Sequence, residues 1–189
     1  MKASYSVPAL RKRRARSRSH QSRASRRGRN LPADSFLCQH CAALVSTVPL
    51  WSGVQNRNHC PFCLWSRHLD LHGAGDRLSA CKSLMRPIGL TVKATRKKYG
   101  RGHGELMLIH LCTACESLSI NRIAADDVPQ AILRVYQASF RLDIPMRKRL
   151  DASGIRALGA EDRHLVYIQL FGRGTELAGI SLLDDLVTT

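Results

Sequence analysis

Cys38-Gln39-His40-Cys41 and, eighteen residues further on, Cys60-Pro61-Phe62-Cys63 are the strings that decide the fold of this 189-residue chain. A two-residue gap lets one tight turn aim both sulfurs at a single ion. Two such turns complete a tetrahedron with metal–sulfur bonds of about 2.3 Å. The eighteen-residue interval lies within the spacing of a four-cysteine zinc site. A thioredoxin-like redox motif needs only one pair, beside a βαβ unit, so two pairs at this interval favour metal.

The remaining cysteines extend the pattern. Cys112 and Cys115 form a third pair and Cys81 stands alone. With one histidine they make a second closed donor set, so zinc is expected as one or two ions. The candidate histidines are His59, His68, His72, His103 and His110. His68 is the first choice because it follows the second pair by five residues. His110 is the second, because strand alternation puts it on the face of Cys112. One alternative stays open, in which Cys81 is a small buried hydrophobe and Cys112 with Cys115 joins Cys38 and Cys41 instead.

Around these cysteines the pattern reads as strands. Ile88, Leu90 and Val92 alternate with small or polar residues, and Glu105 to Leu111 is a second apolar run. The intervening Thr95–Gly104 reads as the basic, glycine-rich tip of a hairpin. After Asp126-Asp127, Pro129 suits a first helical turn, where its missing donor costs nothing. The two acids would complement the helix dipole. Ile132, Leu133, Tyr136 and Phe140 fall on one helical face. Leu165–Phe171 is ambiguous between helix and strand, and Ile180–Leu186 reads as helix. The expected fold is a small α+β domain of zinc-ribbon-like β-hairpins with Cys-x-x-Cys knuckles. Short C-terminal helices would follow it and a disordered basic tail precede it. The corresponding segments are 1–33, 34–127 and 128–189.

Charge is concentrated at one end. Residues 1–33 hold eleven of the 30 Lys and Arg and no acid, leaving nineteen basic residues against fourteen acidic ones, a net of +5. The net charge of +16 is therefore mostly the tail's. Too poor in apolar groups to bury a core, the tail is expected to be disordered until bound. Its field attracts polyanions, because each neutralised phosphate releases condensed counterions. Nucleic acid is the first candidate partner and an acidic membrane surface the second. The same composition suits an organellar transit peptide or a nuclear signal. No apolar run approaches the ~18–20 residues of a membrane helix. Paired cysteines without a secretory signal point to a reducing compartment, taken as the cytoplasm.

Residues 57–61 read Arg-Asn-His-Cys-Pro, continued by Phe62-Cys63-Leu64-Trp65-Ser66-Arg67-His68-Leu69-Asp70. Upstream stands Phe36-Leu37-Cys38-Gln39-His40-Cys41. Downstream come Gly75-Asp76-Arg77, Cys81, Met85–Leu90, Gly104–His110, the Cys112 pair and Asn121–Asp127. Over roughly residues 36–135 the chain resembles the RNHCP domain family, bacterial proteins named after that string. The resemblance implies cysteine-ligated metal and a bacterial cytoplasmic setting, but no established activity. The chain departs from the family pattern at Ala42 and Glu116, where a glycine commonly follows the knuckle.

For function, the leading expectation is a non-catalytic, zinc-binding protein that binds RNA, plausibly on the ribosome. Its contacts would come from Arg11, Lys12, Arg13 and Arg14 of the tail and from Arg57 and Asn58 beside a knuckle. Lys97, Lys98, Tyr99 and Arg101 of the tip would add phosphate contacts and a stacking ring. Trp51 and Trp65 flank the knuckle. A DNA-binding or zinc- or redox-responsive regulator is the alternative, although no recognition-helix pattern is evident. A zinc- or thiol-dependent enzyme is a third reading, with Asp70, Asp76, Asp126 and Asp127 as conceivable acids. Closed donor sets argue against it, since catalytic zinc keeps a position open for water. No small-molecule substrate is evident.

Overall fold

The computed structural model describes residues 32–94 and 104–172. The tail residues Arg11, Lys12, Arg13 and Arg14, the tip residues Lys97, Lys98, Tyr99, Arg101 and His103, and the segment Ile180–Leu186 lie outside them. Two antiparallel sheets carry the architecture. Strands β1 (Ser35–Leu37) and β2 (Leu44–Ser46) pair as a small hairpin around the first cysteine turn. A four-residue helix, α1 (Pro49–Ser52), follows and ends at Gly53, whose φ of +68° suits a residue without Cβ.

The second sheet has the order β3-β4-β5-β6, with β3 (Ser66–Arg67), β4 (Leu84–Lys93), β5 (Glu105–Cys112) and β6 (Leu118–Arg122). Lys93 faces Glu105 in the ladder, so β4 and β5 form the hairpin expected from sequence. Alternation along β4 does not run through, however. Pro87 pairs with His110 and Gly89 with Ile109, leaving Ile88 as an inserted residue. This bulge turns Ile88 onto the Ile109 face, whereas Leu90 and Val92 stand opposite Leu108 and Leu106.

Helices cover both faces of the sheet. On one, α2 (Pro129–Phe140) lays Ala131, Ile132, Val135 and Tyr136 against Leu64, Leu90, Leu106 and Leu108. Its approach at Gly89 is close: a Cβ there would stand 2.6 Å from Ser139 Oγ, and that hydroxyl accepts from the Leu90 amide at 3.0 Å. On the other face, α3 (Ile144–Ala152) contributes Met146 and Leu150 to a cluster with Ile88, Ile109 and Ile120. The ambiguous 165–171 run is helical, within α4 (Arg163–Phe171), which sends Val166 into the α2 core. The helices beyond residue 128 thus complete the sheet's own core, and residues on both sides of that boundary fall in one compact unit. Among the described residues no helix is long and apolar enough to cross a membrane.

Candidate metal centres

Three turns in the chain share one backbone design. Cys38, Cys60 and Cys112 each donate their amide to the carbonyl five residues on (Ala43, Trp65, Ser117) at 2.9 Å. Each also accepts, on its own carbonyl, the amide four residues on: Ala42, Leu64 and Glu116, at 2.8–3.2 Å. The turn closes only if that fourth residue is left-handed, and φ is +59°, +60° and +58° at the three positions. Such a turn frees both cysteine side chains of a pair to point the same way.

Two of these turns meet. Cys38 Sγ lies 3.6 Å from Cys63 Sγ, and Cys41 Sγ lies 3.6 Å from Cys60 Sγ. All four sulfurs fall within 4.8 Å of one another. A disulfide would need about 2.05 Å. A tetrahedron of sulfurs around an ion, with bonds of about 2.3 Å, has edges of about 3.8 Å, close to what is found. The donor set therefore fits a metal ion. Burial pushes the Cys60 thiol up to about 11 and raises Cys63 further, with the neighbouring sulfurs adding to the cost of charge. A divalent cation removes that obstacle, since it is the thiolate that binds.

The third turn forms the second cluster, with four ligands gathered from three places. The β3-β4-β5 register sets Ser66 opposite Met85 and Met85 opposite Cys112, which brings the ends of three strands together. His68 just after β3, Cys81 just before β4, and Cys112 with Cys115 at the end of β5 then converge within 4.8 Å. Cys81 and Cys112 sulfurs are 3.6 Å apart, and Cys115 Sγ is 3.2 Å from His68 Nδ1. Three sulfurs and an imidazole nitrogen again make a closed tetrahedral donor set. Hydrogen bonds from Ser83, then His68, lower the Cys81 thiol to about 6. Those from Ser117 lower Cys115, while burial raises Cys112. Cys112 and Cys115 thus join Cys81 rather than the first pair, and Cys81 is a donor rather than an isolated hydrophobe.

His110 is not among the ligands. It is fully buried, and desolvation lowers it to about 3, so the ring is neutral. Nε2 donates to the Leu64 carbonyl at 2.7 Å, which leaves Nδ1 to accept from Asn121 Nδ2 at 2.9 Å.

Arg57 needs a larger correction. Its guanidinium is wholly buried and donates to both Asp126 oxygens at 2.7 and 2.6 Å, to Asp127 at 3.1 Å and to the His59 carbonyl at 3.1 Å. A side chain spent in this way cannot reach a phosphate. Nor do the acids serve the dipole of α2: none lies in its first turn, which starts after Val128. Asp127 instead collects Arg57, the His59 ring at 2.8 Å and the Ala124 amide at 2.8 Å. The Asp126-Asp127 pair was visible in the sequence, but its partners are 69 and 70 residues away. Asp70 and Asp76 are occupied as well: Asp76 accepts four backbone amides of its own loop and Asp70 two. Asn58 is half-buried and reaches Asp70 at 3.4 Å. Trp65 stacks on His40 with centroids 4.1 Å apart, whereas Trp51 is 67% exposed.

The sequence profile of the RNHCP domain matches residues 33–133, more than half of the chain, and so takes in both donor sets and the buried network. The chain belongs to the RNHCP domain family. No curated protein and no solved structure matches it. The five letters of the RNHCP string now have physical roles in this chain. Arg57 and His59 are the buried partners of Asp127, Asn58 ties in the 70–77 loop, Cys60 is one of the four sulfurs that could hold a metal ion, and Pro61 offers its carbonyl to the Val128 amide at 3.0 Å. The two departures from the RNHCP pattern, Ala42 and Glu116, occupy the left-handed positions of the first and third turns. Leu64 holds the second turn's left-handed position, a demand that an ordinary apolar residue in the string does not announce.

Proposed function

We propose that this protein is a zinc-stabilised, non-catalytic RNA-binding protein of a reducing, cytoplasmic compartment, associated with the ribosome. The observation that carries the reading is the acid-free run of eleven basic residues in 1–33, a charge density suited to a phosphate backbone. The two closed donor sets support a structural role for the metal, because neither leaves a position for a reacting water. Zinc is favoured over other metals by sulfur-rich tetrahedral ligation from cysteines that form no disulfide. The four candidate acids are committed to local hydrogen bonds or to Arg57, which weakens the enzyme reading. The exposed Cys41 and Cys115 favour a second reading, a zinc- or redox-responsive regulator.

Sedimentation tests the proposal. The protein should travel with ribosomal subunits at low salt and leave them at high salt, and the purified chain should carry two equivalents of zinc. Free sedimentation at every ionic strength would end the ribosomal reading. Zinc loss under mild oxidant, coupled to a change in DNA binding, would favour the regulator.

A further inference from the structure

β6 pairs only with β5 among the described residues, so its other edge faces outward. Between β6 and the 67–74 loop, which leaves β3 at the opposite edge of the sheet, two open hollows of about 550 and 330 Å³ meet, sharing Asn58, Asp70, Ala74, Ile120 and Asn121 in their walls. Together they form a trough between the 67–74 loop and β6. The five residues of β6 give it a floor about 17 Å long at about 3.3 Å per residue. Its outer wall hangs on the second metal cluster: His68 is both a donor and a lining residue, and its carbonyl and amide bond Lys82 and Ser83.

The lining is polar and basic. Lys93 and Arg67 line the trough with no carboxylate partner among the described residues, and Arg67 donates only to the Lys82 carbonyl, at 2.8 Å. Arg122 is paired with Glu105 at the surface, where such a pair is worth about 0–1 kcal/mol and a phosphate can take its place. The one carboxylate in the lining, Asp70, is held by the amides of Gly75 and Arg77 and by Asn58. Asn121 uses its side-chain nitrogen on His110, and its side-chain oxygen Oδ1 has no partner among the described residues; the same is true of Asn58 Oδ1. The His72 ring is exposed at the loop.

Cations spaced along a narrow trough, amide oxygens able to accept from exocyclic amines, and a ring open to stacking are what an unpaired strand of nucleotides needs. We infer that this trough is the seat of single-stranded RNA on the folded part of the protein. Phosphates lie on Lys93, Arg67 and Arg122, and bases lie against His72, Asn58 and Asn121. The inference rests on the RNA reading above and locates it. Bases must be unpaired to meet the amide oxygens and the ring, so a duplex, whose base edges are engaged, is the weaker ligand. The trough also places the zinc site in the binding function, because losing the metal frees the wall.

The test uses the full chain, a short single-stranded RNA and its duplex. The triple variant His72→Ala, Lys93→Ala, Arg122→Ala touches no metal donor, and its zinc content should equal that of the native chain. It should bind the single strand about tenfold or more weakly and lower the salt slope by about 1.4, some 0.7 for each of two lost phosphate contacts. Arg86→Ala with Arg134→Ala, exposed on β4 and α2, removes equal charge elsewhere and should leave affinity within about twofold. Hydrogen exchange at 67–74 and 117–122 should slow when RNA is added. Equal losses for the two variants, or a duplex bound as tightly as the single strand, would overturn the seat while leaving RNA binding in place. A native chain that binds neither RNA would remove the reading beneath it. An acidic peptide that slowed exchange at 117–122 where RNA did not would give the edge to a protein partner instead.

Discussion

The two metal clusters are built from similar ligands and stand in different surroundings. The four-cysteine cluster sits in a lobe whose packed group is Cys38, Val45, Cys60, Phe36, Ala43 and Cys63, half of it metal donors. The histidine-containing cluster closes the end of a four-stranded sheet that has apolar cores on both faces. The β1-β2 side of the first lobe has little besides the donor set to hold it, while its second knuckle is also tied by Arg57 and Leu64. The second site fastens three strand ends that the sheet already aligns. The same chemistry serves as a nucleus in one place and as a clasp in the other.

Metal removal should break this symmetry most strongly. Structural zinc contributes on the order of 10 kcal/mol or more in small sites, and the β1-β2 side of the first lobe has no other comparable term. Under a chelator, amides of 35–47 should lose their hydrogen-exchange protection outright, while 88–92 and 106–111 keep most of theirs. Simultaneous collapse of both regions would mean that the sheet, too, depends on its metal for existence.

Arg57 tests how the lobe is tied to the sheet. Its buried guanidinium joins the approach to the second knuckle to Asp126 and Asp127, just ahead of α2. Arg57→Ala leaves buried carboxylate charge without its partner and should cost about 3–5 kcal/mol in thermal or denaturant unfolding. Zinc stoichiometry should stay at the native value, since no donor is touched. Native stability together with weakened RNA binding would restore Arg57 to the contact surface.

The lobe was largely legible in the sequence and the clasp only in part, for a reason of range. Cys38, Cys41, Cys60 and Cys63 lie within 26 residues, and two turn-sized gaps announce a tetrahedron. His68, Cys81, Cys112 and Cys115 come together only through the pairing of β3 with β4 and β4 with β5, so the sequence left several histidines in contention. Alternation favoured His110 as second choice because it shares a face with Cys112. That face, however, is the one covered by Leu64, and burial made His110 a neutral hydrogen-bonding group. Arg57 misled by type: an arginine beside a knuckle looks like a phosphate contact until its partners, nearly seventy residues away, are known. The bulge at Ile88 was missed although Pro87 and Gly89 flank it, both residue types that strands accept at bulges; the apolar alternation drew the reading instead.

The three left-handed turn positions make the finest test of lobe against sheet. A non-glycine residue at φ near +60° costs about 1–2 kcal/mol, and glycine returns part of that to the unfolded chain's entropy. At Ala42, exposed in the lobe, nothing else is lost, so Ala42→Gly should stabilise by about 0.5–1 kcal/mol. At Glu116 the same relief is offset by losing the exposed pair with Arg149, worth about 0–1 kcal/mol, so the net change should be near zero. At Leu64 the turn belongs to the lobe but the side chain lies fully buried in the sheet's α2 core, where losing it costs about 2–5 kcal/mol. Leu64→Gly should therefore destabilise despite the better backbone. Differential melting of the three variants with metal saturating gives the order Ala42→Gly above native, Glu116→Gly level with it, Leu64→Gly below. If Leu64→Gly proved neutral or better, the second knuckle would answer to its turn alone, and the packing that couples lobe to sheet would be weaker than the contacts imply.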